Sequence, residues 1–211
     1  MTAFSSQSTT LEIESGSGVA KNISAISLGA ITEITSSSHG MAVGDVVTFA
    51  SIGGTTGLNG LSAMIIGVET NTFFVAIDSS AMSAYTSGGT ATPATYTAIG
   101  EVIDFTGPGG QATVIDVTKL SSTRKEKLMG LPDEGQFTFN LNLDPADTGQ
   151  LAAKASRNAQ TLKGYRLTFA DTGTTVLTWD AYCLAFSVSG GVDKQVSASI
   201  TLEITGEVTW A

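Results

Sequence analysis

Apolar and polar residues alternate with a period of two along most of this chain. The clearest stretch is 137–143, where Phe137, Phe139, Leu141 and Leu143 are interleaved with Thr138, Asn140 and Asn142. Extended, it turns one side to a core and the other to water, as a half-buried antiparallel strand does. Leu11 with Ile13, Tyr165 with Leu167 and Phe169, and Val196 through Ile204 repeat the pattern. Between residues 23 and 95 the apolar runs are shorter and evenly spaced, at 31–35, 46–49, 63–69 and 72–77. HGMAVGD, GGTTGLNG and ETNT separate them and TSGGTATP closes the stretch, which predicts a small all-β barrel.

GPGG at 107–110 predicts a reversal between strands at 102–105 and 112–117, so that 96–144 reads as a hairpin with a long charged loop ahead of strand 137–143. At 144–160 the period changes. In DPADTGQLAAKASRNAQ, Leu151, Ala152 and Ala155 share a helical face behind Asp147 or Thr148 as N-cap, which predicts the single short helix. DTGTT and SGG then turn the chain between strands, and Gly206 is expected to kink the last one before Val208 and Trp210. Residues 1–8, small and polar without a period, are expected to form a mobile arm.

Composition agrees with a mainly β chain: among 211 residues there are 24 Gly, and only 14% are charged. Charge is spread unevenly. Residues 23–95 hold Glu33, Asp45, Glu69 and Asp78 and no Lys or Arg, whereas almost every base lies later, so 23–95 reads as a separate unit. A net charge of −9 argues against a protein that grips nucleic acid through its phosphates. The single cysteine excludes an internal disulfide, and neither a membrane-length apolar run nor a signal-peptide start is present, so an intracellular, soluble product is expected.

Candidate chemistry is sparse. His39, the one histidine, follows a serine run and precedes Gly40, which suits a turn residue better than a metal ligand or general base. Without a second histidine or a GxSxG elbow no hydrolase triad can be assembled. Cys183, in AYCLAF, reads as a buried structural thiol. GPGG is not a phosphate-binding loop. Asp144 and Asp147 lack the ligand spacing of a calcium loop and suit helix capping. Arg124, Lys125 and Lys127, with Glu126 among them, form the one basic cluster. No aromatics interleave it, so a solvated loop, or a loop that folds onto an acidic neighbour, fits better than a nucleic-acid patch. The connection 119–135 is long for a compact domain, and such loops are usually functional or ordered by a partner.

Two resemblances follow. ITEITSSSHGMAVGDVVTF, GLNG, NTFFVAI and AYTSGG make residues 23–95 similar to a small β-barrel insert of phage structural proteins, named after a domain of ubiquitin-activating enzymes (FCCH-like). No catalytic residues come with that likeness. The remainder, 1–22 joined to 96–211, resembles the tail tube proteins of long-tailed bacteriophages in IGEV (99–102), IDVTKLSSTRKEKLMGLPDEGQFTF (115–139), DPAD (144–147) and ITGEVTW (204–210). The resemblance implies a mainly β fold: a tail-tube β-sandwich or barrel with one short helix and a long loop, plus the inserted small all-β barrel on the tube exterior. It implies a structural virion protein, neither enzyme nor cofactor carrier, forming hexameric rings stacked into a tube whose acidic lumen conducts DNA without binding it specifically. Lys119, Leu120, Arg124, Lys125, Glu126, Lys127, Leu128, Met129 and Leu131 would then form an inter-subunit loop. The implied partners are other copies of the chain and the tape measure, tail tip and tail terminator proteins, with no membrane. Its place would be the virion tail, after synthesis in the host bacterial cytoplasm. The alternative is a carbohydrate- or host-surface-binding tail or baseplate module, which would need an exposed aromatic cluster that 7% aromatics at mostly alternating positions hardly supply.

Overall fold

The computed structural model describes residues 5–211, which are mainly β, with one α-helix. The expected arm at 1–8 lies partly outside the described residues; within them, a turn is closed by the Thr9 amide donating to the Ser6 carbonyl at 3.1 Å. The chain divides into two compact units.

The first unit runs up to Thr97 and takes in Arg166–Thr178 and Thr209–Ala211. Its strands are β1 (Thr10–Ser17), β2 (Lys21–Asn22), β3 (Ala25–Ser27), β4 (Thr32–Thr35), β5 (Val46–Gly53), β6 (Ser62–Val68), β7 (Thr72–Val75) and β8 (Ser87–Ala98), hydrogen-bonded in the order β3-β4-β7-β6-β5-β8-β1, with β2 against β8. Alternation puts Ile34, Val47, Phe49, Ile65, Phe73 and Val75 out of solvent altogether, the 3-10 turn Thr56–Leu58 buries Leu58 as fully, and with Ile23, Ile52 and Ala91 they make one core. Burying such side chains contributes roughly 1.5–3 kcal/mol each. The predicted turn words have mechanical roles. In GLNG, Asn59 braces the backbone of Ile52 from both sides, accepting from its N–H at 2.8 Å and donating to its carbonyl at 3.0 Å. The closing words SGGTATP are strand, not turn: β8 pairs with β5 from Ser87 to Pro93 and runs on without a break to Ala98. Gly88 and Gly89, at φ 68° and 96°, permit this, and a side chain on Gly89 would strike Ile52.

The second unit holds β9 (Val102–Thr106), β10 (Val114–Asp116), β11 (Lys127–Met129), β12 (Gln136–Asn142), the helix α1 (Thr148–Ala159), and parts of β13 (Lys163–Thr168), β14 (Val176–Gly191) and β15 (Lys194–Trp210). Strand order is β13-β14-β15-β12-β9, and Phe137, Phe139 and Leu141 of β12 are fully buried. An aromatic column runs from Phe105 through Phe137 and Trp179 to Tyr165, with ring centroids 5.8, 4.8 and 6.3 Å apart. The expected reversal at GPGG does not form. β9 pairs with β12, while β10 pairs with β11 in a sheet of their own. Gly107 and Gly110 lie against the backbone of residues 133–137, where any side chain would overlap Gln136 or Asp133, so these glycines serve a close crossing.

The helix also differs from expectation in the face it buries. Asp147 caps it, but Gly149, Gln150, Ala153 and Ser156 turn inward while Leu151 stays 48% exposed. The face is set by close approach and polar contacts. Gly149 abuts the Ala98 carbonyl, and the Gln150 amide donates at 3.1 Å to the carbonyls of both Gly100 and Asn142. The last strand carries Gly206 at φ 83°, after which Val208 is buried again and Trp210 is exposed.

Candidate assembly surfaces

Residues 107–135 leave the sheet and return to it. Within them Val114, Ile115 and Asp116 pair with Met129, Leu128 and Lys127, and all six residues are exposed. Beyond this ladder the tip is closed by local bonds. The Val117 N–H donates to the Glu126 carbonyl at 3.0 Å, the Glu126 N–H to the Thr118 hydroxyl at 3.0 Å, and the Lys119 N–H to the Ser122 hydroxyl at 3.1 Å. Asp116 accepts from the Thr118 N–H at 2.9 Å, and the Thr118 hydroxyl and N–H together hold its carboxyl below the usual pKa.

Eight of the nine loop residues named from the sequence therefore lie on a ladder and its tip, with Leu131 just past the ladder, where a structureless connection had been expected. Lys127, Leu128 and Met129 form β11, and Lys119 and Glu126 are bonded into the tip through their backbones. Arg124 and Lys125 are exposed. Leu120 is fully exposed, Leu131 is 88% exposed and Met129 79%. Val114 and Ile115 join this apolar group. The sequence hid them, since VID following GPGG reads as a strand in the main sheet. A two-stranded ribbon with both edges unpaired and aliphatic side chains in water is a template for association.

A second surface is the polar side of β12. Opposite Gln136, Thr138, Asn140 and Asn142 stand Glu203, Thr201, Ser199 and Ser197 of β15, with Thr106 and Asp104 of β9 on the other flank. None of these is Lys or Arg. Each nearby carboxylate accepts from an amide: Gln136 donates to Glu203 at 2.8 Å, Asn140 to Asp104 at 2.7 Å and Asn142 to Glu101 at 3.3 Å. An amide fixes a carboxylate without neutralising it, so the face stays negative.

The other candidates have structural roles. His39 is 3% exposed, with Nδ1 accepting the Met41 N–H at 3.1 Å and Nε2 3.0 Å from the Glu69 carbonyl. Since Nδ1 accepts, Nε2 carries the proton and donates to that carbonyl. Cys183 is buried, and burial pushes its thiol pKa up although Arg157 opposes the shift. Asp147 caps the helix, accepting from the Gln150 N–H at 2.7 Å, whereas Asp144, expected to share that role, closes a local turn ahead of the helix by accepting from the Ala146 N–H at 2.9 Å.

Sequence reasoning passed over Arg166. Its Nε donates to Glu12 at 2.7 Å and an Nη to Asp45 at 3.2 Å, while the guanidinium lies 4.4 Å from the centre of the Tyr96 ring. Burial would lower its pKa, but the Glu12 hydrogen bond and the charges of Glu12 and Asp45 outweigh burial and raise it. Nothing in the YRLTF alternation distinguishes such a residue from an ordinary solvent-facing strand position.

Residues 76–211 match the family model described as phage tail tube, TTP, lambda-like. Residues 27–94 match that of the FCCH domain of ubiquitin-activating enzyme E1. The two matches overlap over residues 76–94, from just after β7 into β8. No curated protein matches the chain.

Proposed function

The chain belongs to the lambda-like phage tail tube family, and we propose that its copies close into rings, six to a ring, which stack into the tube that conducts DNA out of the virion. It is a structural component of a virion tail; the ring, its size and the passage of DNA are the finer reading. The observation that carries this reading is the exposed ribbon of β10 and β11. Its aliphatic side chains gain a dry environment when a neighbouring copy covers them, and its cations, Arg124, Lys125 and Lys127, suit an acidic neighbour in a chain of net charge −9. The polar side of β12 supplies a wall suited to passing DNA, because fixed carboxylates without cations repel phosphates. The tape measure, tail tip and tail terminator proteins are the further partners of such a tube.

The FCCH-like module, residues 27–94, belongs on the outside, since a folded unit of that size would obstruct a channel for duplex DNA. Negative-stain electron microscopy over a concentration series tests the assembly. Wild-type protein should give rings or hollow tubes with knobs on the outer wall, and the double variant Leu120→Ser with Leu131→Ser should stay dispersed. Tubes formed equally well by the double variant would overturn the role given to the ribbon. For the wall, Asp104→Lys with Glu203→Lys should leave tubes intact and slow DNA ejection; unchanged ejection kinetics would remove that face from the lumen.

A further inference from the structure

The inserted module meets the strand segment Arg166–Thr178 through more than its two chain connections, and the contacts gather on one short turn. In Gly44–Asp45 the aspartate has two tasks. Its Oδ2 accepts the Ala42 N–H at 2.8 Å, closing the module's own turn, and its Oδ1 accepts from Arg166 at 3.2 Å. Gly44, at φ 90°, lies so close to Val176 that an added Cβ would stand 3.0–3.2 Å from that side chain. Close by in sequence, the Thr178 hydroxyl donates to the Met64 sulfur at 3.3 Å in a buried setting. Val176 is itself held by a reciprocal backbone pair with Ala211, at 3.0 and 2.9 Å. Asp45, Gly44 and Met64 lie within the FCCH match; Arg166, Val176 and Thr178 lie beyond its end, in the tail tube match.

Arg166 is what makes this junction directional. Its side chain is only 21% exposed, and those of Glu12 and Asp45 are 19% and 27% exposed. One guanidinium thus satisfies a carboxylate of β1 and one of the module at once, with Tyr96 against its face. A planar fork with donors fixed in orientation constrains angle as well as distance, as a lysine would not. Without it Glu12 and Asp45 would be two half-buried like charges with no cation between them.

We infer that Arg166 is a positioning residue that clamps the FCCH-like module, through Asp45, onto the strand segment 166–178, so that module and segment move as one body. A module hung on two linkers would instead tumble partly on its own. On the tube reading, every copy would then present its module at one fixed angle to that segment.

The test uses the full chain, dispersed, and so does not depend on tube formation. Backbone 15N relaxation should give the amides of β4 to β7 and those of Phe169, Val176 and Thr178 the same rotational correlation time. In Arg166→Met the module amides should separate to a shorter correlation time while the amides facing the module core, such as Phe49 and Phe73, keep their hydrogen-exchange protection. Arg166→Lys should restore the common value only in part. Gly44→Ala is the second route, since it disturbs the Val176 contact and leaves Arg166 in place; it too should free the module. A common correlation time in both Arg166→Met and Gly44→Ala overturns the inference. So does loss of exchange protection throughout the module core, which would make Arg166 a residue of general stability and not of pose.

Discussion

The FCCH-like module and the excursion 107–135 are built from similar material, short strands rich in Val, Ile, Leu and Met divided by glycine-bearing turns. They end in opposite states. In the module Phe49, Phe73, Ile34 and Ile65 lose all contact with solvent. Its turns are pinned by side chains: Asn59 on Ile52, and Thr32, whose hydroxyl bonds the Ile77 carbonyl at 2.6 Å and Ser79 at 2.7 Å. In the excursion every residue of β10 and β11 is exposed. A lone two-stranded ribbon is marginal in water, whereas several strands around a shared core are not. The difference lies in whether a second layer exists to receive the apolar face. The module completes its core within the chain, and the ribbon has the composition of a core and no cover for it.

The largest expected effect tests the closed side of this comparison. Phe73→Ala should cost about 3–5 kcal/mol, read as a lower urea midpoint. Leu120→Ala, a similar truncation in the ribbon, should stay within about 0.5 kcal/mol for the dispersed chain. A loss of the same order at Leu120 would mean that the ribbon packs on its own chain. A smaller effect is expected where polar contacts do the tying. Asp147 caps α1 and also accepts from the Gly100 N–H at 3.3 Å, so Asp147→Ala should cost about 1 kcal/mol or somewhat more. Asp147→Asn should lose much less, since an Asn side chain still caps. Equal losses would assign the stabilisation to charge at the helix end and not to the cap.

How much of this could be read from the residues depended on where the information is local. Period-two alternation placed Phe137, Phe139 and Leu141, and β4, β6 and β7 of the module within a residue or two, because burial on one face of a strand leaves its mark in that strand. Pairing partners leave no such mark. GPGG looked like a reversal between β9 and β10, yet β9 joins β12 across the whole excursion, and only the crossing against Gln136 and Asp133 explains why glycines stand there. The buried face of α1 was misread for the same reason. Leu151 carries the apolar signal, but the contacts of Gly149 with Ala98 and of Gln150 with Gly100 and Asn142 decide which side faces in. The loop cations and leucines were visible as a cluster, and the ladder that organises them was not, since three-residue strands fall below what alternation can reveal. Arg166 was invisible because its meaning comes from Glu12 and Asp45, each more than a hundred positions earlier in the chain.

The smallest effect separates the two regions most finely, because both contain the same local device. Asp78 in the module and Asp116 in the excursion each accept from the N–H and hydroxyl of the residue two positions on, Ser80 and Thr118. In each case the side-chain hydrogen bond, then the backbone one, lowers the carboxyl pKa from the ordinary 3.8. A lowered folded pKa means that the contribution is present above that ordinary value and fades as pH falls through the lower folded one. In the dispersed chain the Ser80 and Thr118 amide resonances should therefore each titrate below the ordinary carboxyl value of 3.8, and Asp78→Asn and Asp116→Asn should each abolish only their own titration. Assembly should break the symmetry. A neighbouring copy that covers the ribbon changes the surroundings of Asp116, so the Thr118 titration should shift, while Ser80 on the self-sufficient module should titrate as before. If both shift alike, or neither does, the ribbon is not where copies meet.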